Sequence, residues 1–228
     1  MKRILFYFTI VFFLSSCVSL KLSDIRPVGK LNNLLPALTP HVDIKSFENT
    51  YLGLSAALIE SHPIYYGNDV WGADIVETYA YPDVDPRIQD AVSIFIKDVK
   101  ENMTNPLGEK RGDILCRITY GDVGRKGLGW FYLSTITGFI PNLVGFPLMS
   151  TKATIELEVQ IFDNDKNLIG RYVADCENTK YIALYWGSSY PDAARKANAA
   201  AFKCAMVKIK RQIQQDAPKL IAQLSKAN

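Results

Sequence analysis

The residue with the most pointed chemistry is Cys17, which follows Leu14, Ser15 and Ser16. A cysteine sulfur is a strong nucleophile once deprotonated, and the two residues just before it are small. Elsewhere the chemistry is thin. His41 and His62 are the only two histidines, and neither has a Cys or an acidic cluster near it in sequence. A His-based triad or a zinc site is therefore not expected, and each His reads as a loop residue. Gly124-Arg125-Lys126-Gly127-Leu128-Gly129 is glycine-rich but fits neither the phosphate-loop nor the dinucleotide pattern. Glu156 and Glu158 would share one strand face, as paired carboxylates do, yet they read as a solvated face. Asp83 and Asp85, beside prolines, read as turn and cap residues. Tyr181, Tyr185, Trp186 and Tyr190 cluster ahead of the last helix, where they either pack beneath it or line a ligand site. No catalytic residue, metal ligand or cofactor is assigned, and the chain is not expected to be an enzyme.

The residues that bring Cys17 into play lie before it. Lys2 and Arg3 open the chain, and Ile4 to Leu14 carries no charge. A basic start followed by a short apolar run is a secretory signal, and the run is too short for a spanning helix of about 20 residues. With Leu14-Ser15-Ser16-Cys17 at its end, this stretch resembles the lipobox signal of bacterial lipoproteins. The resemblance covers 17 residues. It implies cleavage before Cys17, lipidation of its thiol and acylation, palmitate included, of the new N-terminus. Each buried CH₂ contributes about 0.8 kcal/mol and one chain holds only marginally, whereas the three chains of a lipoprotein hold permanently. Val18 stands where an Asp favours retention at the inner membrane in such families. The resemblance therefore implies a lipid-anchored protein of the cell envelope, at the outer membrane and facing the periplasm.

Removing residues 1–16 from 228 leaves 212, about one domain. Lys2 and Arg3 leave with the signal, so 24 of the 26 basic residues face all 23 acids, a net of about +1. That is no electrostatic footprint for nucleic acid. Three cysteines follow Cys17: Cys116, Cys176 and Cys204. An oxidising periplasm permits disulfides, and an odd count leaves a thiol over. Buried free cysteines are one reading; a single disulfide is the other, with Cys116–Cys176 the pair to test.

Residues 17–39 lack a period and read as the lipidated N-terminus and a tether. Residues 40–228 read as one domain. Pro40 to Phe47 alternates briefly, and Tyr51 to Glu60 is ambiguous between strand and helix. Trp71 to Tyr79 reads as a short strand. Asp85 and Pro86 start a helix, with Ile88, Val92, Phe95, Ile96, Val99 and Met103 along one face and Arg87, Asp90, Lys97, Lys100 and Glu101 on the other. Asn105-Pro106 stops it. Ile114, Cys116, Ile118 and Tyr120 share one side of a strand. Ala153, Ile155, Leu157, Val159 and Ile161 share one side of the next, with Thr154, Glu156, Glu158 and Gln160 opposite. A polar turn at Asp163 to Asn167 leads into a returning strand from Leu168 to about Tyr185. The last helix starts near Ser189 with Pro191 just inside. Its alanines let it lie close to a sheet; Lys203, Lys208, Lys210 and Arg211 are expected to stay wet, and Pro218 to break or kink it.

Between those two strands lies a segment without a single charge, Gly127 to Thr151. Its length would span a bilayer, but four Gly and two Pro interrupt it, and it joins strands that must meet on one side. Three readings stand open. It is a buried crossover of the core, an exposed apolar loop or short helix that dips into a membrane or a partner, or a transmembrane hairpin completed in an oligomer. Trp130, Phe131, Tyr132, Phe139 and Phe146 are its candidate contact residues, since exposed apolar patches of that size mark interaction surfaces.

The element order predicts an α+β domain, an antiparallel sheet packed by two helices. Over about residues 70–215 that order resembles the small α/β domain of periplasmic lipoproteins serving secretion and envelope assembly, the group of the curli-secretion lipoprotein and the N-terminal domain of TolB. It carries no site residues with it. The expected function is a membrane-anchored, non-enzymatic envelope lipoprotein acting through contacts with envelope proteins in an accessory or assembly role. The alternative is a binder of a lipid or other small apolar ligand.

Overall fold

A computed structural model describes residues 26–27, 29–52, 85–126, 128–143, 145–183 and 189–226. The lipobox with Cys17, together with His62, Asp83, Tyr185, Trp186 and the strand expected at Trp71 to Tyr79, lies outside those residues. The fold is α+β, built on a four-stranded sheet in the order β1-β2-β3-β4. The strands are β1 (Ala37–Val42), β2 (Lys110–Lys126), β3 (Met149–Asp163) and β4 (Leu168–Ile182). The helices are α1 (Ile44–Leu52), α2 (Pro86–Asp98, continued by a π-helical turn at Val99–Met103), α3 (Leu128–Ile136), α4 (Ile140–Leu143) and α5 (Tyr190–Lys226).

β2 to β4 are antiparallel neighbours, as the alternation of β3 and the polar turn predict. The sheet as a whole is mixed rather than antiparallel, because β1 runs parallel to β2. Pro40 within β1 suits an edge strand, where a missing N–H costs no ladder bond. The ordered fold also begins earlier than residue 40. Leu31, Leu35 and Leu38 belong to the core, and Leu31 and Leu35 donate their N–H groups to Asn102 and Met103, at 2.9 Å each. These leucines are spaced too irregularly to show a period, so the segment read as tether conceals its attachment.

One face of the sheet carries Ala153, Ile155, Leu157, Val159 and Ile161, all buried, as period-two alternation requires. α5 lies against β3 and β4 on this side. Its buried Ala193, Ala197, Ala201, Ala205 and Ala217 keep the helix axis close, and Phe202 fills the layer against Phe47 of α1, rings 6.1 Å apart. The start of α5 is capped from both sides: Ser189 Oγ donates to Asp192 Oδ2 at 2.7 Å and accepts from the Asp192 N–H at 3.4 Å. The helix runs on through Pro218 for 37 residues instead of breaking there. Leu220 and Leu224, buried beyond the proline, repay the lost backbone bond.

α2 starts as the sequence predicts, with the Asp85 carboxylate accepting from the Arg87 N–H at 2.8 Å and Pro86 in the first turn. Two charges expected to be wet are not. Asp90 is buried and bound by Arg195 through two nitrogens, at 2.5 and 2.8 Å. Lys210 is buried and reaches Asp98 at 2.6 Å and the Gly29 carbonyl at 2.7 Å. The reason is that α2 packs against α5 as well as facing the core, so a second face of each helix is covered, and a buried charge must be paired.

The strand β2 contains a correction of register. Ile114, Cys116 and Ile118 point into the core, but the ladder shifts between Ile118 and Tyr120. A bulge of one residue flips every later side chain, so Tyr120 is exposed and Gly121 faces inward opposite Ile155. α1 causes this. Ser46 Oγ accepts the Ile118 N–H at 3.1 Å, and Thr50 presses on Gly121 so closely that a Cβ there would collide with its methyl.

Candidate functional site

The paired strands β2 and β3 continue past the bulge to Lys126↔Ser150, and the uncharged segment forms the cap at that end. It folds as two helices, α3 and α4, turned into each other by Gly138 and Phe139, both at positive φ (60° and 62°). Glycine takes that conformation freely; for Phe it costs of order 1–2 kcal/mol. The cap is held by its own polar groups. Ser134 and Thr137 hydroxyls donate to the Trp130 and Leu133 carbonyls at 2.7 and 2.8 Å, and Asn142 Nδ2 donates to the Phe146 carbonyl at 3.1 Å.

The distribution of side chains on this cap is inverted. Its buried residues are polar, Ser134 and Asn142. Its exposed residues are apolar: Ile136 is 83% exposed, Ile140 67%, Tyr132 65% and Leu143 61%, and Trp130, Phe131, Leu133, Phe139 and Phe146 are exposed with them. The five contact residues expected from the sequence therefore come together on one exposed element. The buried-crossover reading is overturned. Among the described residues no helix is long and apolar enough to cross a membrane. Trp130 of α3 meets Phe146, in the segment after α4, with ring centroids 6.0 Å apart.

No protein-family model matches this chain, and no curated protein is similar to it. Its chemistry therefore rests on its own residues. Cys176 and Cys204 form a disulfide between β4 and α5, Cα atoms 5.9 Å apart, and among the described residues Cys116 is the free, buried cysteine. The pair Cys116–Cys176 is thus corrected: Cys116 faces the core from β2, while Cys176 lies on β4, with β3 between them. Burial pushes the Cys116 thiol far up, with the Asp43 carboxylate adding to it, so this sulfur is not a nucleophile at neutral pH.

His41 is not a loop residue. It sits buried on β1 with Nε2 2.9 Å from Asp113 Oδ1, while Lys166 Nζ, from the β3–β4 turn, lies 2.5 Å from Asp113 Oδ2. This cluster ties three parts of the chain together, and a sequence separation of 72 between His41 and Asp113 hides it from the sequence. Glu158 is 2% exposed rather than solvated. Burial raises its pKa, but hydrogen bonds from Arg171 (2.7 and 3.1 Å) and Gln160 outweigh that and hold it below the ordinary range. Glu156 is engaged by the Thr119 hydroxyl at 2.6 Å, so the two glutamates do not work as a pair. Tyr181 is exposed on β4 and Tyr190 opens α5. Among the described residues no group of His, Cys, Asp and Glu is placed to hold a metal.

Proposed function

We propose that this chain is a lipid-anchored, non-enzymatic lipoprotein of the bacterial cell envelope, serving other envelope proteins in an accessory or assembly role. The observation that carries the reading is the cap. An apolar element of this size, held out at the end of a long strand pair with its aromatics in solvent, is a device for contact and a liability otherwise. The signal-like start and the Leu14-to-Cys17 box support attachment to a membrane, and the Cys176–Cys204 disulfide supports an oxidising compartment. The ligand-binder reading has less behind it, because the cap aromatics stand outward whereas small-molecule sites are concave.

The test is mild crosslinking of intact cells followed by purification of the chain, run beside a Cys17→Ala variant. A discrete protein partner is expected from the wild type, and the variant should leave the membrane fraction and take up no labelled palmitate. A clean monomer from cells where the protein is abundant would sink the accessory role. Unchanged fractionation and labelling of the variant would sink the anchor.

A further inference from the structure

Much of the surface of α3 is apolar and in solvent, more than contact with a protein requires. Residues 129–133 are five successive positions of α3, and all are exposed. At 3.6 residues per turn they are spread around the helix, while Ser134 faces inward. A helix that exposes apolar side chains on several sides suits lipid, which surrounds what enters it, whereas a docked protein covers one face. The buried Ser134 and Asn142 and the solvent-facing Trp130, Tyr132 and Ile136 repeat the same inversion of a water-soluble element.

Charge sets in sharply where the cap meets the sheet. The last rungs of the ladder pair Arg125 with Thr151 and Thr151 with Lys180 on one face. On the other face Lys126 pairs with Ser150, and Lys152 stands one rung further in, opposite Gly124. Four basic positions thus ring the neck on both faces. Asp122 and Glu177 are the nearby acids; Glu177 and Lys152 pair with each other at 2.5 Å, and the remaining positions of the neck still carry more basic than acidic residues. An apolar tip with Trp and Tyr above a basic collar matches a bilayer interface, where aromatic rings sit at headgroup level and cations meet anionic lipid.

We propose that residues 129–143 and 145–146 form a wedge that sinks into the headgroup–acyl boundary of an anionic phospholipid bilayer, with the basic end of the strands at headgroup level. The proposal rests on the cap being the contact element and names the surface it contacts; it does not require lipidation. It fits an anchor at Cys17 all the same. The chain joins the fold at Gly29, beside Lys210. Lys208 and Gln212 bracket that point, reaching the Asp175 and Val173 carbonyls of β4. That level lies about eight residues, or roughly 27 Å, from the cap end of the strand. Gly29 lies twelve positions after Cys17, a stretch that reaches up to about 40 Å, so anchor and wedge can enter one leaflet.

The test uses the full chain with Trp71→Phe and Trp186→Phe, leaving Trp130 as reporter, reconstituted into phosphatidylethanolamine–phosphatidylglycerol vesicles with brominated acyl chains. The expected result is strong quenching of Trp130 by the brominated lipid, with several-fold protection from aqueous acrylamide. Both should fall several-fold in purely zwitterionic vesicles and on adding Tyr132→Asp and Ile136→Asp. Trp130 left unquenched by lipid and open to acrylamide overturns the proposal. Should the reporter variant not fold, a photoreactive benzoylphenylalanine at position 132 of the otherwise native chain in cells gives the second measurement. Phospholipid adducts support the wedge, and adducts to protein alone overturn it. Because the partner search purifies the whole chain, an absent partner with a lipid-buried Trp130 defeats the accessory role and leaves the wedge standing.

Discussion

At the scale of single residues, burial and charge decide the behaviour of Glu158. It is almost wholly enclosed on the polar side of β3, yet Arg171 and Gln160 keep it ionised. Its folded pKa lies below the ordinary 4.5, so the native state binds fewer protons there than the unfolded chain. The stability it contributes is present above that ordinary value and is lost as pH falls through it toward the folded value. Urea midpoints measured between about pH 6 and pH 3 should therefore fall, and Glu158→Gln should flatten part of that fall. Equal slopes for both proteins would show that the carboxylate does not titrate in this way. Asp98 is the opposite case: burial raises it, opposed by Lys210 and Asn102.

At the scale of elements, the α1–β2 contact is the most demanding fit in the domain. Gly121 faces α1 only because the bulge before Tyr120 inverts the strand. Gly121→Ala should cost about 1–3 kcal/mol, the range for overpacking, read from the denaturation midpoint. Thr50→Ala removes the methyl that the new Cβ would strike, so the double variant should recover much of the loss. Strictly additive losses would mean that the contact is not what requires glycine. The cap is the other telling element. Its hydroxyl and amide bonds are local to the cap, Ser134 to Trp130 and Asn142 to Phe146 among them, while its apolar groups are exposed.

At the scale of the whole molecule, the last helix is bound to the sheet by packing and by one covalent tie. The Cys176–Cys204 bridge closes a loop with a sequence separation of 28. Loop-closure entropy assigns such a bridge about 3–4 kcal/mol. Cys204→Ser should lower the unfolding free energy by roughly that amount, and a reductant should do the same to the wild type. No difference between oxidised and reduced protein in a urea titration would count against the bridge. Cys116 should stay unlabelled by thiol reagents until the chain unfolds, because it is fully buried.

Local physics made much of this legible. Asp85 and Pro86 announce α2, the alternation from Ala153 to Ile161 announces β3, and Asp163 to Asn167 announces the turn, because caps, periods and turns act between near neighbours. The uncharged run at Gly127 to Thr151 marked the cap and its aromatics. The proposed address rests on sequence alone, since a signal and a lipobox are linear motifs. What only the tertiary structure decided are the relations between distant residues: β1 lying parallel to β2, Lys210 meeting Asp98, His41 meeting Asp113, Cys204 rather than Cys116 facing Cys176. Burial of the uncharged run was likewise beyond the sequence. An apolar segment serves a core and a lipid-facing tip equally well, and only the packing of the remaining chain leaves it outside.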